Sequence, residues 1–223
     1  MIDLVDAATT RFEDLPAHRE IVGFKGQRNY TGLWWFATTR THVPYESWVE
    51  RDYVMVLDRS PNVVAVRSQP FGLAVTLGAS PKWHVPDYFV RLRDGGCRVV
   101  DVRPESLITS EDQLTFDATG HACKMVGWDY EVVGDLSPVL RSNLRWIAAY
   151  RHPRNADLGA PWDALLSVVA ERGRVRLSNL PTLLDVSPMA LLPHVYHRLW
   201  TGDLSVDMAR LMSLKSLVGL GSV

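Results

Sequence analysis

The chain has 223 residues, 47% of them hydrophobic and 22% charged, with a formal net charge of −1. Such a composition belongs to a folded globular chain and excludes extensive disorder. No apolar run approaches the ~18 residues of a membrane span, so no membrane partner is expected. The first residues, MIDLVDAATT, carry two acids and no basic segment ahead of an apolar one. Nothing there resembles a secretory signal, and a cytoplasmic protein is expected. Two cysteines, Cys97 and Cys123, are too few for a metal cluster and read as buried thiols. The charge divides unevenly along the chain. Residues 1–139 hold 14 Lys and Arg against 19 Asp and Glu, a balance of −5, and residues 140–223 hold 10 against 6, a balance of +4. A split of this kind suits a surface facing nucleic acid, although solvated faces also produce it.

Residues 1–40 have no clear period and read as an N-terminal arm or elaboration, with Trp34, Trp35 and Phe36 as core or partner-covered surface. From Tyr45 the apolar spacing predicts a helix over 45–58, ended by Arg59-Ser60-Pro61-Asn62. VVAVRS (63–68), FGLAVTL (71–77) and DYFVRL (87–92) predict strands, and the third meets CRVVDV (97–102) across Asp94-Gly95-Gly96, a hairpin signal. Leu114, Ala118 and Ala122 fall four apart in a helix over 110–125, with a capping pattern from Ser110 to Gln113. Tyr130 to Val133 reads as one more strand. The order implies an α/β sheet with helices on its faces. HPRNADLGAP (152–161) reads as a linker. Beyond it come a helix over 162–172, a short RVRLSNL segment, a helical PMALLPHVYHRLWTG and a two-stranded wing over Trp200–Leu211, the order of a winged helix. Three regions are expected: 1–40, 41–150 and 157–223.

The residues that carry chemistry are Glu50, Asp87, Asp101 and Arg103. If the hairpin loop is Asp94–Gly96, Asp87 lies opposite Arg103 and Phe89 opposite Asp101. Asp87, Asp101 and Arg103 then converge on one face, with diagonal neighbours about 7–8 Å apart. A two-residue loop would put the two aspartates on opposite faces. Two carboxylates so held suit Mg²⁺, which takes one or two carboxylates and completes its octahedron with water and phosphate oxygens. Glu50, at the margin of its helix's apolar face, would be a third acid. Each residue also has a structural reading: Glu50 as a solvated helix residue, Asp87 as a strand cap, Asp101 and Arg103 as an ion pair. Asp101 interrupts VVDV, where a buried sheet favours an apolar residue.

At these residues the chain resembles the TnsA-like endonuclease subunits of heteromeric transposases, members of the PD-(D/E)XK, or restriction-endonuclease-like, nucleases. The matching stretches are VERDYVMVLDRSPNVVAVRSQPF (49–71), VPDYFVRL (85–92) and RVVDVRPES (98–106), and LPHVYHRLWTGDLSVDMARLMS (192–213) resembles the end of such proteins. The resemblance implies a restriction-endonuclease-like mixed sheet flanked by helices over 41–150 and a small winged-helix-like C-terminal domain over 157–223. Glu50 matches the family's helix glutamate, Asp87 its metal-binding aspartate and Asp101 the first acidic or amide position of the last motif. With the Val102 carbonyl they would hold Mg²⁺, for which Mn²⁺ would substitute. The implied activity is cutting of the 5′ strand at transposon ends, with DNA, a DDE transposase subunit and an ATPase regulator as partners.

Arg103 stands where the family usually has lysine. Arginine stays protonated, so it can stabilise a phosphate but is a poor general base. Two further readings follow: a non-catalytic DNA-binding or assembly protein that kept the fold, and a standalone defence or repair nuclease. Lys82 and His84 read as DNA contacts or surface polar groups. Arg172, Arg174, Arg176, His194, His197 and Arg198 read as phosphate contacts or as solvated groups around a small core of Val195, Leu199 and Trp200.

Overall fold

The computed structural model describes residues 4–19, 21, 30–77, 80–156 and 162–221. The chain is mixed α/β and divides into two units, Met1–Asp135 and Leu136–Val223. Among the described residues no helix is long and apolar enough to cross a membrane.

The first unit begins with a single helical turn, α1 (Leu4–Ala7), and a hairpin of β1 (Gly32–Phe36) and β2 (Thr41–Tyr45). Helix α2 (Trp48–Arg59) follows. It starts three residues later than expected because Tyr45 is taken into β2 and because Ser47-Trp48-Val49-Glu50 forms an S-x-x-E cap. The Ser47 hydroxyl accepts from the Glu50 N–H and donates to the Glu50 carboxylate, which also accepts from the Glu46 N–H. Next come β3 (Val63–Ser68), a separate hairpin of β4 (Leu73–Leu77) and β5 (Ser80–His84), then β6 (Tyr88–Leu92) and β7 (Cys97–Val102). Helix α3 (Ser110–Met125) crosses over to β8 (Asp129–Val133). Its cap lies one residue earlier than the sequence suggested: the Thr109 hydroxyl accepts from the Asp112 N–H, and the Asp112 carboxylate accepts from the Thr109 N–H.

The main sheet has the order β3-β6-β7-β8, antiparallel except for the parallel pair β7-β8. The parallel pair needs a crossover, which α3 supplies. Strand alternation builds a core on each face. Tyr88, Val90 and Val100 pack with Val54 and Leu57 of α2, while Phe89, Cys97 and Val99 pack with Cys123 of α3 and with Trp128. Both cysteines are unpaired and buried, and burial pushes the Cys123 thiol up to about 12.

Where it is described, the stretch 1–40 contributes to both cores: Ala7 and Phe12 pack on the α3 side, and Phe36 packs on the α2 side beside Val43 of β2. The buried Asp58 of α2 clasps the first hairpin, accepting from the Trp34 indole N–H at 2.9 Å and the Ala37 N–H at 2.8 Å.

The second unit contains α4 (Pro138–Ala148), α5 (Trp162–Arg172), a short β9 (Val175–Arg176), α6 (Leu180–Leu184), α7 (Pro188–Thr201), β10 (Leu204–Val206) and β11 (Leu217–Leu220). Its strands form an antiparallel sheet in the order β10-β11-β9. Leu144, Ile147, Leu165, Leu191, Leu199 and Trp200 are among its buried core. Helix α4, capped by Ser137 with proline at its first position, was not foreseen and belongs to this unit rather than to 41–150. The expected wing does not close within Trp200–Leu211, because β10 pairs with the more distant β11. Of the expected linker, residues 157–161 lie outside the described residues.

Candidate active site

The hairpin register decides which side chains meet. Tyr88 pairs with Val100, Phe89 with Val99, Val90 with Arg98 and Arg91 with Cys97. The Leu92 N–H donates to the Gly96 carbonyl at 2.9 Å, so the turn residues are Arg93-Asp94-Gly95, one earlier than expected. Gly95 takes the positive φ of +89° that closes such a turn, a conformation open chiefly to glycine. Extended one step, this register sets Asp87 opposite Asp101, not opposite Arg103. The slip changes the partners but preserves parity, so Asp87 and Asp101 remain on corresponding positions.

Asp87 lies just before β6, at the end of the sheet where β7 finishes. Its Oδ2 accepts from the Val102 N–H at 2.7 Å, and its Oδ1 has no hydrogen-bond partner among the described residues. Glu50 sits in the first turn of α2, buried, held by the Glu46 N–H and Ser47 hydroxyl at 2.8 Å each and by the Tyr88 hydroxyl at 3.4 Å. Asp101 is buried on the α3 side of the sheet. The His84 Nε2 lies 2.9 and 3.0 Å from its two oxygens, and the Tyr130 hydroxyl donates to Oδ2 at 2.6 Å.

Three acids therefore gather at one end of the sheet, from α2, from the start of β6 and from β7. Burial pushes the Asp87 pKa well above the usual carboxylate range, and the charges of Glu50 and Asp101 push it further, against the Val102 N–H. Burial also raises Glu50. Burial and the charges of Glu50 and Asp87 hold the Tyr88 phenol far above its ordinary value.

Arg103 does not join them. Strand β7 ends at Val102, and the exposed Arg103 guanidinium lies 3.4 Å from Asp112 at the start of α3, bordering a cavity of about 590 Å³ with Gln113 and Phe116. The predicted convergence of Asp101 and Arg103 is thus corrected: Asp101 takes His84 and Tyr130 as partners, and Arg103 takes the acid of a helix cap. Lys82 is engaged with Glu111 at 2.6 Å. His84 and Tyr130 were not foreseen as partners of Asp101. The parallel register brings Tyr130 to Val99, next to Asp101, but nothing local to His84 signals its reach across the fold.

The donor set can be tested against the divalent cation that the resemblance implies. Among the described residues no group of three or more His, Cys, Asp or Glu stands close enough to hold a metal ion by itself. Mg²⁺ needs less: one or two carboxylates, with water completing the shell. Asp87, with an uncommitted oxygen and a charge that burial disfavours, fits that requirement, and Asp101 lies opposite it. Glu50 spends both oxygens on the start of its own helix. Val102 contributes its N–H to Asp87.

No protein-family model matches the chain, and a search of curated proteins finds no match.

Proposed function

We propose that this chain is a Mg²⁺-dependent DNA endonuclease subunit of a TnsA-like heteromeric transposase, with a restriction-endonuclease-like first unit and a winged-helix-like second unit. It would cut the 5′ strand at transposon ends beside a DDE transposase subunit and an ATPase regulator. The observation that carries this reading is the gathering of Glu50, Asp87 and Asp101 at one end of the sheet, with Asp87 pressed toward protonation by burial and by both neighbours. Such an excess of buried negative charge favours a bound cation or a proton.

In this reading Asp87 and Asp101 hold the ion. Bound there, Mg²⁺ supplies an activated water and charge stabilisation for the departing phosphodiester oxygen. Glu50 adds the third charge and seats the start of α2 over the site. Tyr130 and His84 hold the Asp101 carboxylate in one orientation. Arg103, directed to Asp112, offers a guanidinium suited to a phosphate at the rim rather than to proton abstraction.

The test combines the chain, its transposase and regulator partners, transposon-end DNA and Mg²⁺, and measures 5′-strand cutting. Asp87→Ala is expected to lower the rate by at least roughly 100-fold, the scale of losing one transition-state charge stabiliser. Equal cutting by both proteins would reject the site. A second reading, a non-cutting DNA-binding or assembly protein, is favoured by the placement of Arg103 and by the full engagement of Asp101 with His84 and Tyr130. It requires that neither protein cut although both bind DNA.

A further inference from the structure

The basic residues of the second unit do not form one class. His194 and His197 are buried, and Arg198 pairs with Asp203 at 3.0 Å while lying over the Trp162 ring. These three, read from sequence as phosphate contacts or as solvated groups, are instead built into the fold. The available charge lies elsewhere. The β9-β11 register places Arg176 opposite Leu217 and, one step on, Arg174 opposite Gly219, so both arginines leave the sheet on the face turned from the buried Val175 and Val218.

Two cavities adjoin on this side, of about 350 and 360 Å³, and they share Arg174 and Leu217. Arg210 and Lys215 complete the first, and Arg172 and Arg176 complete the second. None of these five cations has an ion pair among the described residues. The one acid on the border, Asp207, turns back to accept from the Ala209 N–H at 3.0 Å.

The loop that bears Arg210 and Lys215 is fixed from within. Buried Asn143 donates to the Met208 and Arg210 carbonyls at 3.1 and 2.8 Å and accepts from the Met212 N–H at 2.8 Å. The Ser216 hydroxyl accepts from the Ser213 N–H, and the Ser213 hydroxyl accepts from the Lys215 N–H. Holding unpaired cations in a preformed loop lowers the ordering cost of binding an anion.

We propose that this double cavity is a docking surface for the sugar-phosphate backbone of duplex DNA. Two basic recesses joined by one arginine suit successive phosphates along a strand better than one isolated anion, and arginine can meet a phosphate through two N–H groups at once. The choice of DNA as occupant rests on the nuclease reading; the basic surface itself does not.

The test uses the full chain in EDTA, where no metal-dependent cutting occurs, and measures binding to a short random-sequence duplex across a salt series. The Arg174→Ala/Arg210→Ala/Lys215→Ala variant is expected to bind at least roughly 10-fold more weakly, with a salt slope reduced by about 2–3, close to 0.9 for each phosphate no longer neutralised. The Arg174→Lys/Arg210→Lys variant, which leaves Lys215 in place, should keep the slope, which separates removal of charge from failure to fold. Unchanged affinity and slope in the alanine variant would overturn the proposal. So would unchanged DNA binding accompanied by abolished binding of polyglutamate, the result expected of a surface for acidic protein. Binding in EDTA reads no cutting, so failure of the nuclease site leaves this result unchanged while failure of the docking surface does not.

Discussion

At Asp87 two influences act in the same direction. Burial and the nearby charges of Glu50 and Asp101 both favour the protonated acid, so the folded-state pKa lies above the ordinary value. Between the unfolded value, near ~3.9, and the raised folded value, the folded chain binds this proton more tightly, and stability falls as pH rises through that window. Asp87→Asn removes the charge and can keep an acceptor for the Val102 N–H. In EDTA at pH 8 the variant is expected to melt roughly 2–4 °C higher, the shift of about 1 kcal/mol in a chain of this size. The gap should narrow toward pH 4 and close below it, where Asp87 is protonated in the folded and unfolded chains alike. Melting curves followed by circular dichroism check this, and coincident curves at pH 8 would show that Asp87 bears no such burden. At this scale the acid in VVDV was legible because a buried strand rarely admits one. Its partners were not, because His84 and Tyr130 reach it only through tertiary pairing. Arg103 misled for a related reason: a D-x-R spacing places both residues on one side of a strand only while the strand continues, and β7 stops at Val102.

Among the elements, β3, β7, α3 and α5 coincide with the stretches expected from periodicity, since each combines a clear repeat with a marked stop. The hairpin turn was ambiguous because Gly95 and Gly96 are adjacent and either could take the positive φ. Strands β1 and β2 carry Pro44 and a run of aromatics that hide alternation, and β5 begins Ser80-Pro81. The wing was misjudged because its second strand follows a long loop whose order comes from Asn143, a residue of another helix. Asn143→Ala would leave the Met208 and Arg210 carbonyls and the Met212 N–H without that partner. The expected cost is about 2–3 kcal/mol, with hydrogen exchange accelerating at Met212. Unchanged protection there would mean that the loop is held by its own serine turns.

Across the whole chain, each unit has its own buried apolar core, and the −5 and +4 balances fall on either side of a boundary close to that between the units. The total of −1 concealed this division. A chain shortened to residues 136–223 is expected to melt cooperatively and to retain the salt-dependent DNA binding of the basic double cavity. A broad, non-cooperative transition would show that the second unit depends on the first for its order. The acidic end of the main sheet has a different dependence. Glu50, Asp87 and Asp101 come from separate segments, so their mutual repulsion belongs to the folded chain alone. A cation drawn to them would therefore bind the folded form in preference to the unfolded one, and ion occupancy and folding would become a single linked equilibrium.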